Sequence, residues 1–152
     1  MMEGKMQRGQ VALEFIFILM IVIIYIFTVT KPLVDSAKDV SDDIDRLSRT
    51  NNEAQRLVNS VTEISMLGTG SKEALTLLVP VDANINCFAD GVIGFSAKMA
   101  AKPFPPQCIG GSCDKNFSMP SGVFVDCKVK TLSGPWKINV EKTESGVTVT
   151  QG

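Results

Sequence analysis

The chain has 152 residues, of which 45% are hydrophobic, and its formal net charge is −1, without the basic excess typical of nucleic-acid-binding proteins. It contains no histidine, the commonest general base and metal ligand, and shows no Ser/His/Asp, Cys/His or glycine-rich phosphate-binding arrangement. These features predict a protein that is not an enzyme, needs no cofactor and has no nucleic-acid partner.

Residues 11–29 form an apolar run in which Glu14 is the only charged residue. As a helix this run measures roughly 29 Å, which matches the hydrocarbon thickness of a bilayer. It is longer than the apolar region of about 7–15 residues in a cleaved secretory signal. We therefore predict a membrane span that stays in the mature protein. Lys5 and Arg8 precede it and an acidic stretch follows it, which predicts a cytoplasmic N-terminus and an outward-facing remainder.

The sequence RGQVALE at residues 8–14 resembles the class III signal peptide of archaeal type IV pilin-like proteins. In that family a short basic leader ends in a small residue, and the mature chain begins Gln-x-Ser-x-Glu and continues as an apolar helix. The matching positions are the leader charges Lys5 and Arg8, the small residue Gly9, and then Gln10 and Glu14. Ala12 stands where the family has Ser, and Ile18 where Leu is usual.

The resemblance implies that a membrane-embedded prepilin peptidase cleaves between Gly9 and Gln10 and removes residues 1–9 as a leader peptide. Glu14 would then help to set the register with a neighbouring subunit. The same helix would be solvated by membrane lipid before assembly, and later buried by copies of itself or by co-pilins. The precursor would be membrane-inserted, and the mature form would lie on the cell surface in an extracellular filament.

The function that follows from the resemblance is that of a structural subunit, a major or minor pilin of a type IV pilus-like filament. The alternative is a single-pass, membrane-anchored binding or adhesion module that does not polymerise. Both share the span and the outward-facing domain, so the two differ only in whether the helix leaves the membrane to join copies of itself.

Residues 31–68 are predicted to extend the apolar helix of residues 10–30. Pro32 leaves open a kink or a break between two helices. Beyond it, apolar residues recur at steps of three, four and seven and form one stripe on a helix; they are Leu33, Ala37, Val40, Ile44, Leu47, Ala54, Val58, Val61 and Ile64. The acidic residues of this region are assigned to a solvated face. Gly68 and Gly70 supply a stop signal.

Residues 69–152 predict an extracellular β domain, because the apolar period changes to two. Candidate strands cover residues 74–79, 84–88, 92–99, 123–130, 136–142 and 147–150. Short turns between several of them favour antiparallel pairing in a small sheet or sandwich. The proline-containing segment 100–120 is predicted to be a long surface loop. The expected fold class is α+β, a long N-terminal helix followed by a small antiparallel β domain, type IV pilin-like.

All four cysteines lie in this outward-facing domain, where disulfides are stable. Three pairings are open, and we favour Cys87–Cys127, between two candidate strands, and Cys108–Cys113, which closes a short loop. A zinc site is the alternative, but the only close pair has four residues between its cysteines and has no matching second pair. The prediction is therefore two disulfides and no metal.

Asn116 begins the triplet Asn-Phe-Ser, a sequon for N-linked glycosylation. It falls in the predicted exposed loop 100–120, and the resemblance to archaeal surface filaments, which are often glycosylated, favours its use. Asn116 is therefore a candidate glycosylation site.

Overall fold

The computed structural model describes residues 3–88, 92–102, 108–120, 122–129 and 131–152, with side chains from Ala12 onward. One long helix, α1 (Glu3–Met66), is followed by a small domain rich in antiparallel strands, which confirms the predicted α+β class. The chain divides into two compact units, Met1–Val40 and Ser41–Gly152. The first unit contains the N-terminal part of α1 with the apolar run of residues 11–29. The second contains the end of α1 and every described strand.

Helix α1 continues through Pro32, the position at which a kink or a break between two helices was a possible prediction from the sequence. Proline removes one backbone donor from the i→i−4 ladder, so a carbonyl of the preceding turn loses its partner. Thr28, four residues before Pro32, donates a hydrogen bond from its Oγ1 to the carbonyl of Ile24 in the same helix, at 2.7 Å. The helix ends before Gly68 and Gly70, as the stop signal predicts, and Gly70 has a φ of 92°.

The last four turns of α1 pack on the β domain. Their buried residues recur three or four positions apart, which is the spacing of one helix face: Ala54, Leu57, Val58, Val61 and Ile64. The predicted apolar stripe is longer than this buried face. Its earlier members Leu33, Val40 and Ile44 are exposed.

Nine strands lie in the described part of the second unit, and they form two sheets. They are β1 (Lys72–Val79), β2 (Ala83–Phe88), β3 (Val92–Lys98), β4 (Cys108–Ile109), β5 (Ser112–Ser118), β6 (Val125–Cys127), β7 (Thr131–Leu132), β8 (Gly134–Thr143) and β9 (Gly146–Gln151). The first sheet has the order β1-β8-β9-β6, and the second has the order β4-β5-β3-β2-β7. Fully buried side chains from both sheets, among them Leu77, Ile85, Ile93 and Ile138, form one core with α1.

The prediction of a loop over residues 100–120 is wrong for its second half, which contains β4 and β5. Strand β5 pairs with β3 over seven residues, from Lys98↔Ser112 to Val92↔Ser118. Gly110 and Gly111 join β4 to β5 with φ angles of 61° and 85°, the positive pair that a two-residue type I′ hairpin requires. Because β5 is polar along most of its length, its sequence resembles a loop, and only its pairing with β3 makes it a strand.

The predicted strand 123–130 is also wrong in its extent, since among the described residues there only Val125–Cys127 form a strand, β6, and the next strand, β7, belongs to the other sheet. The change of sheet between β6 and β7 explains why β6 and β9 pair in parallel, whereas the other described strand pairs are antiparallel. After β6 the chain leaves the first sheet, pairs as β7 with β2, and returns as β8. The β8–β9 hairpin then brings β9 beside β6 in the same direction, with Val125 opposite Val147.

Asp43 corrects the assignment of the helix carboxylates to a solvated face, because it is 1% exposed. Its Oδ2 accepts hydrogen bonds from the backbone N–H groups of Ala100 and Ala101, both at 2.8 Å. Arg46, one turn later, donates to the carbonyl of Lys98 at 2.8 Å and lies 3.4 Å from Asp43 Oδ1. One carboxylate therefore ties α1 to the chain that leaves β3.

The structure contains the disulfides Cys87–Cys127 and Cys108–Cys113, the pairing favoured on the sequence. The first closes a loop with a sequence separation of 40, and the second one of 5. In the chain-entropy model these loops correspond to roughly 4 and 2 kcal/mol of stabilisation.

We expect the double variant Cys87→Ser/Cys127→Ser to lose about twice as much unfolding free energy as Cys108→Ser/Cys113→Ser, because the longer loop restricts the unfolded chain more. Urea unfolding of the purified chain, followed through the fluorescence of Trp136, measures both. Equal losses in the two variants would contradict the loop-length argument.

Candidate functional site

The apolar part of α1 is long and apolar enough to cross a membrane. The candidate helix Ala12–Met66 contains an 18-residue stretch with a mean hydropathy of 2.8, none of it buried by the rest of the chain. The side chains from Phe15 to Phe27 are all large hydrophobic ones, with exposures of 44% to 69%. Side chains of this kind need an apolar environment that the single chain does not supply.

Glu14 lies at the start of this exposed stretch and is itself exposed. Among the side chains that the structure describes, none forms an ion pair or a hydrogen bond with it. A carboxylate inside a span costs free energy unless it reaches the interface or finds a partner. A polar contact from outside the chain would therefore be strongly favourable at Glu14.

The backbone of α1 includes the predicted leader residues Lys5 and Arg8 and the predicted cleavage residues Gly9 and Gln10. Their side chains are outside the part of the chain that the structure describes. Their roles in cleavage and orientation stay predictions from the sequence.

Exposed apolar residues continue on α1 beyond the predicted span. In the first unit Leu33, Val34 and Val40 are 64%, 59% and 42% exposed. In the second unit Ile44 is 61% exposed, although Asp43 beside it is buried. Val40 comes eleven residues after the end of the apolar run, about 16 Å further along a helix, so it would lie outside a hydrocarbon layer spanned by residues 11–29.

Asn116, the candidate glycosylation residue, lies on β5 rather than in a loop, and it is exposed. It faces Gly94 of β3 across the sheet. Its Oδ1 occupies the space where a Cβ on Gly94 would stand, so any larger residue at position 94 would displace the Asn116 side chain. The sequon is thus accessible on the outer face of the second sheet.

Described residues of the second unit line two surface cavities. The larger, about 290 Å³, lies between α1 and the β1–β2 turn and is lined by Asp42, Asp45, Arg46, Arg49, Pro80, Val81 and Asp82. Its charges are largely satisfied locally, since Arg49 pairs with Asp45 at 2.9 Å and Arg46 bonds to Lys98. The smaller, about 190 Å³, lies beside the β8–β9 turn and is lined in part by Phe124.

Sequence reasoning missed the Phe124 cavity. Phe124 falls in a predicted strand, where an aromatic residue is an ordinary core candidate, yet it is 75% exposed. No local sequence signal tells whether Phe124 is buried or exposed, because its exposure depends on how β9 lies beside β6.

Comparison with protein-family models, with curated proteins and with solved structures gives no match to this chain.

Proposed function

We propose that the chain is a structural subunit, a major or minor pilin, of an archaeal type IV pilus-like extracellular filament. A prepilin peptidase would process it after Gly9, and it would assemble through its N-terminal helix. The role is structural rather than catalytic, and the partners are other copies of the chain or co-pilins. Before assembly the helix would lie in membrane lipid with its N-terminus in the cytoplasm.

The observation that carries this proposal is the exposed apolar surface of α1 outside the predicted span. A permanent anchor needs about 20 apolar residues to cross the bilayer and none beyond it. Here Leu33, Val34 and Val40 follow the span and remain exposed. Full burial of one such side chain is worth roughly 1.5–3 kcal/mol. Residues of this kind outside the lipid favour a helix that packs against other helices.

The resemblance at residues 8–14 supports the same conclusion independently. Cleavage after Gly9 would remove Lys5 and Arg8, the charges that hold the leader on the cytoplasmic side. The shortened helix would then be free to move outward into a filament core. Glu14 would be the fifth residue of the mature chain, close to the new terminal amine.

Mass spectrometry of surface material tests the processing step. We expect the mature chain to begin at Gln10, in free or cyclised form, because the resemblance predicts cleavage between Gly9 and Gln10. The control is a Gly9→Val variant, which should keep Met1 because a bulky residue replaces the small one. Wild-type surface protein that retains Met1 would refute the proposal.

Shearing of cells separates a filament subunit from a membrane-anchored adhesion module, the second candidate. Both contain the apolar helix that the structure describes, but only a subunit leaves the membrane as part of a fibre. We expect the chain in the sheared, high-molecular-weight fraction. Complete retention in washed membranes would favour the anchored module.

A further inference from the structure

The cavity beside the β8–β9 turn combines one exposed aromatic ring with several hydroxyl groups. Phe124 lies at its edge with 75% of its surface exposed. Thr143, Ser145 and Thr148 contribute hydroxyls, and Asp126 contributes a carboxylate. The filament role proposed above makes no use of any of these groups.

The backbone of Phe124 is held in place although its ring faces solvent. Its carbonyl accepts a hydrogen bond from the N–H of Val147 at 2.8 Å, next to the parallel pair Val125↔Val147. Gly146 makes this approach feasible, because a Cβ there would collide with the carbonyl and the Cβ of Phe124. Gly146 therefore permits the close approach by which the backbone of Phe124 is hydrogen-bonded while its side chain stays exposed.

The polar groups around the ring are also ordered. Thr143 donates from Oγ1 to the carbonyl of Gly146 at 3.0 Å and lies 3.2 Å from Ser145 Oγ. Asp126 is paired with Lys128 at 2.8 Å and stands opposite Thr148 across the parallel pair β6–β9. Hydroxyls both donate and accept, whereas a carboxylate only accepts, so the rim offers mixed hydrogen-bonding capacity.

We propose that this cavity binds a carbohydrate, with one sugar ring stacked on Phe124. A sugar ring has an apolar face of C–H groups and a rim of hydroxyls that both donate and accept. The aromatic face of Phe124 complements the first, and the hydroxyls and carboxylate complement the second. The cavity, about 190 Å³, is smaller than the roughly 300–1,000 Å³ of sites for drug-sized ligands, as a site for a single ring would be.

A second copy of the chain is the rival occupant of this surface. A subunit interface would place Phe124 in an apolar, desolvated pocket, since aromatic anchors at protein interfaces are surrounded by groups that exclude water. The residues around Phe124 carry hydroxyls and a charged pair instead. The chemistry of the lining therefore favours a sugar.

The test uses the full chain, purified from a host without N-linked glycosylation in a detergent that contains no sugar. The probes are cellohexaose, the β-1,4-linked hexamer of N-acetylglucosamine, and an α-1,6-linked mannohexaose. Saturation-transfer NMR detects contact, and calorimetric titration measures affinity. We expect at least one probe to bind and Phe124→Ala to weaken it by about tenfold or more, while Phe124→Tyr stays within about threefold. Thr148→Val should weaken binding several-fold.

Phe88→Ala is the matched control, because Phe88 is an exposed phenylalanine outside the cavity. Its binding should equal that of the wild-type chain. Thermal unfolding of each variant verifies that the fold is retained. Failure of all three probes to bind, or unchanged affinity in Phe124→Ala, would overturn the proposal. Loss of sheared filaments in Phe124→Ala without any sugar binding would instead identify Phe124 as a subunit contact, and would also overturn it.

Discussion

A Glu14→Ala variant should insert into the membrane as well as the wild-type chain, yet yield at least about tenfold fewer sheared filaments. Removing a carboxylate from a span lowers the cost of insertion, which on insertion scales is about 2.5–3.5 kcal/mol at the centre and less near an end. Insertion should therefore not suffer. Filament yield should fall because the variant lacks the carboxylate that is proposed to contact a neighbouring subunit.

Membrane fractionation and immunoblotting of the sheared fraction measure the two outcomes of this experiment separately. Asp39→Ala is the matched control, since Asp39 is an exposed carboxylate on the same helix but outside the span. It should form filaments normally. Equal filament yield from the Glu14→Ala and wild-type chains would remove the register role assigned to Glu14.

An Asp43→Ala variant should lose about 3 kcal/mol or more of unfolding free energy. The substitution removes the acceptor of two backbone N–H groups, those of Ala100 and Ala101, and each hydrogen bond to a charged group is worth roughly 1.5–3 kcal/mol. It also leaves Arg46 without its neighbouring carboxylate. Asp43→Asn should lose less, because its amide oxygen can still accept from the backbone.

Urea unfolding of the full chain, followed by the fluorescence of its single tryptophan, Trp136, measures these losses. Asp42→Ala is the control, since Asp42 is exposed on the same turn of α1 and a surface substitution should stay within about 0.5 kcal/mol. A loss in Asp43→Ala no larger than that in Asp42→Ala would show that the buried carboxylate is not a stabilising tie.

Local patterns were sufficient for features that depend on neighbouring residues. The apolar run of residues 11–29, the stop at Gly68 and Gly70, and the alternating strands at both ends of the β domain all follow from composition and period. The favoured disulfide Cys108–Cys113 is present and follows from its five-residue separation. Cys87–Cys127 is also present, but it joins strands of different sheets and depends on the tertiary structure.

Long-range pairing decided the remaining features. Strand β5 is too polar to be recognised alone and exists because β3 offers it a seven-residue partner. Asp43 is chemically like its exposed neighbour Asp42, and only the approach of Ala100 and Ala101 makes it a buried acceptor.

Composition and hydrophobic period are enough to predict one apolar helix followed by a small β domain, since both act over a few residues. Which helix residues of the second unit are buried depends on tertiary packing, which buries Asp43 and leaves its neighbour Ile44 exposed. The tertiary structure also decided that Phe124 faces solvent beside three hydroxyls, because the crossing of the chain between two sheets brings β9 next to β6. Such contacts join residues far apart in the chain, and no local period encodes them.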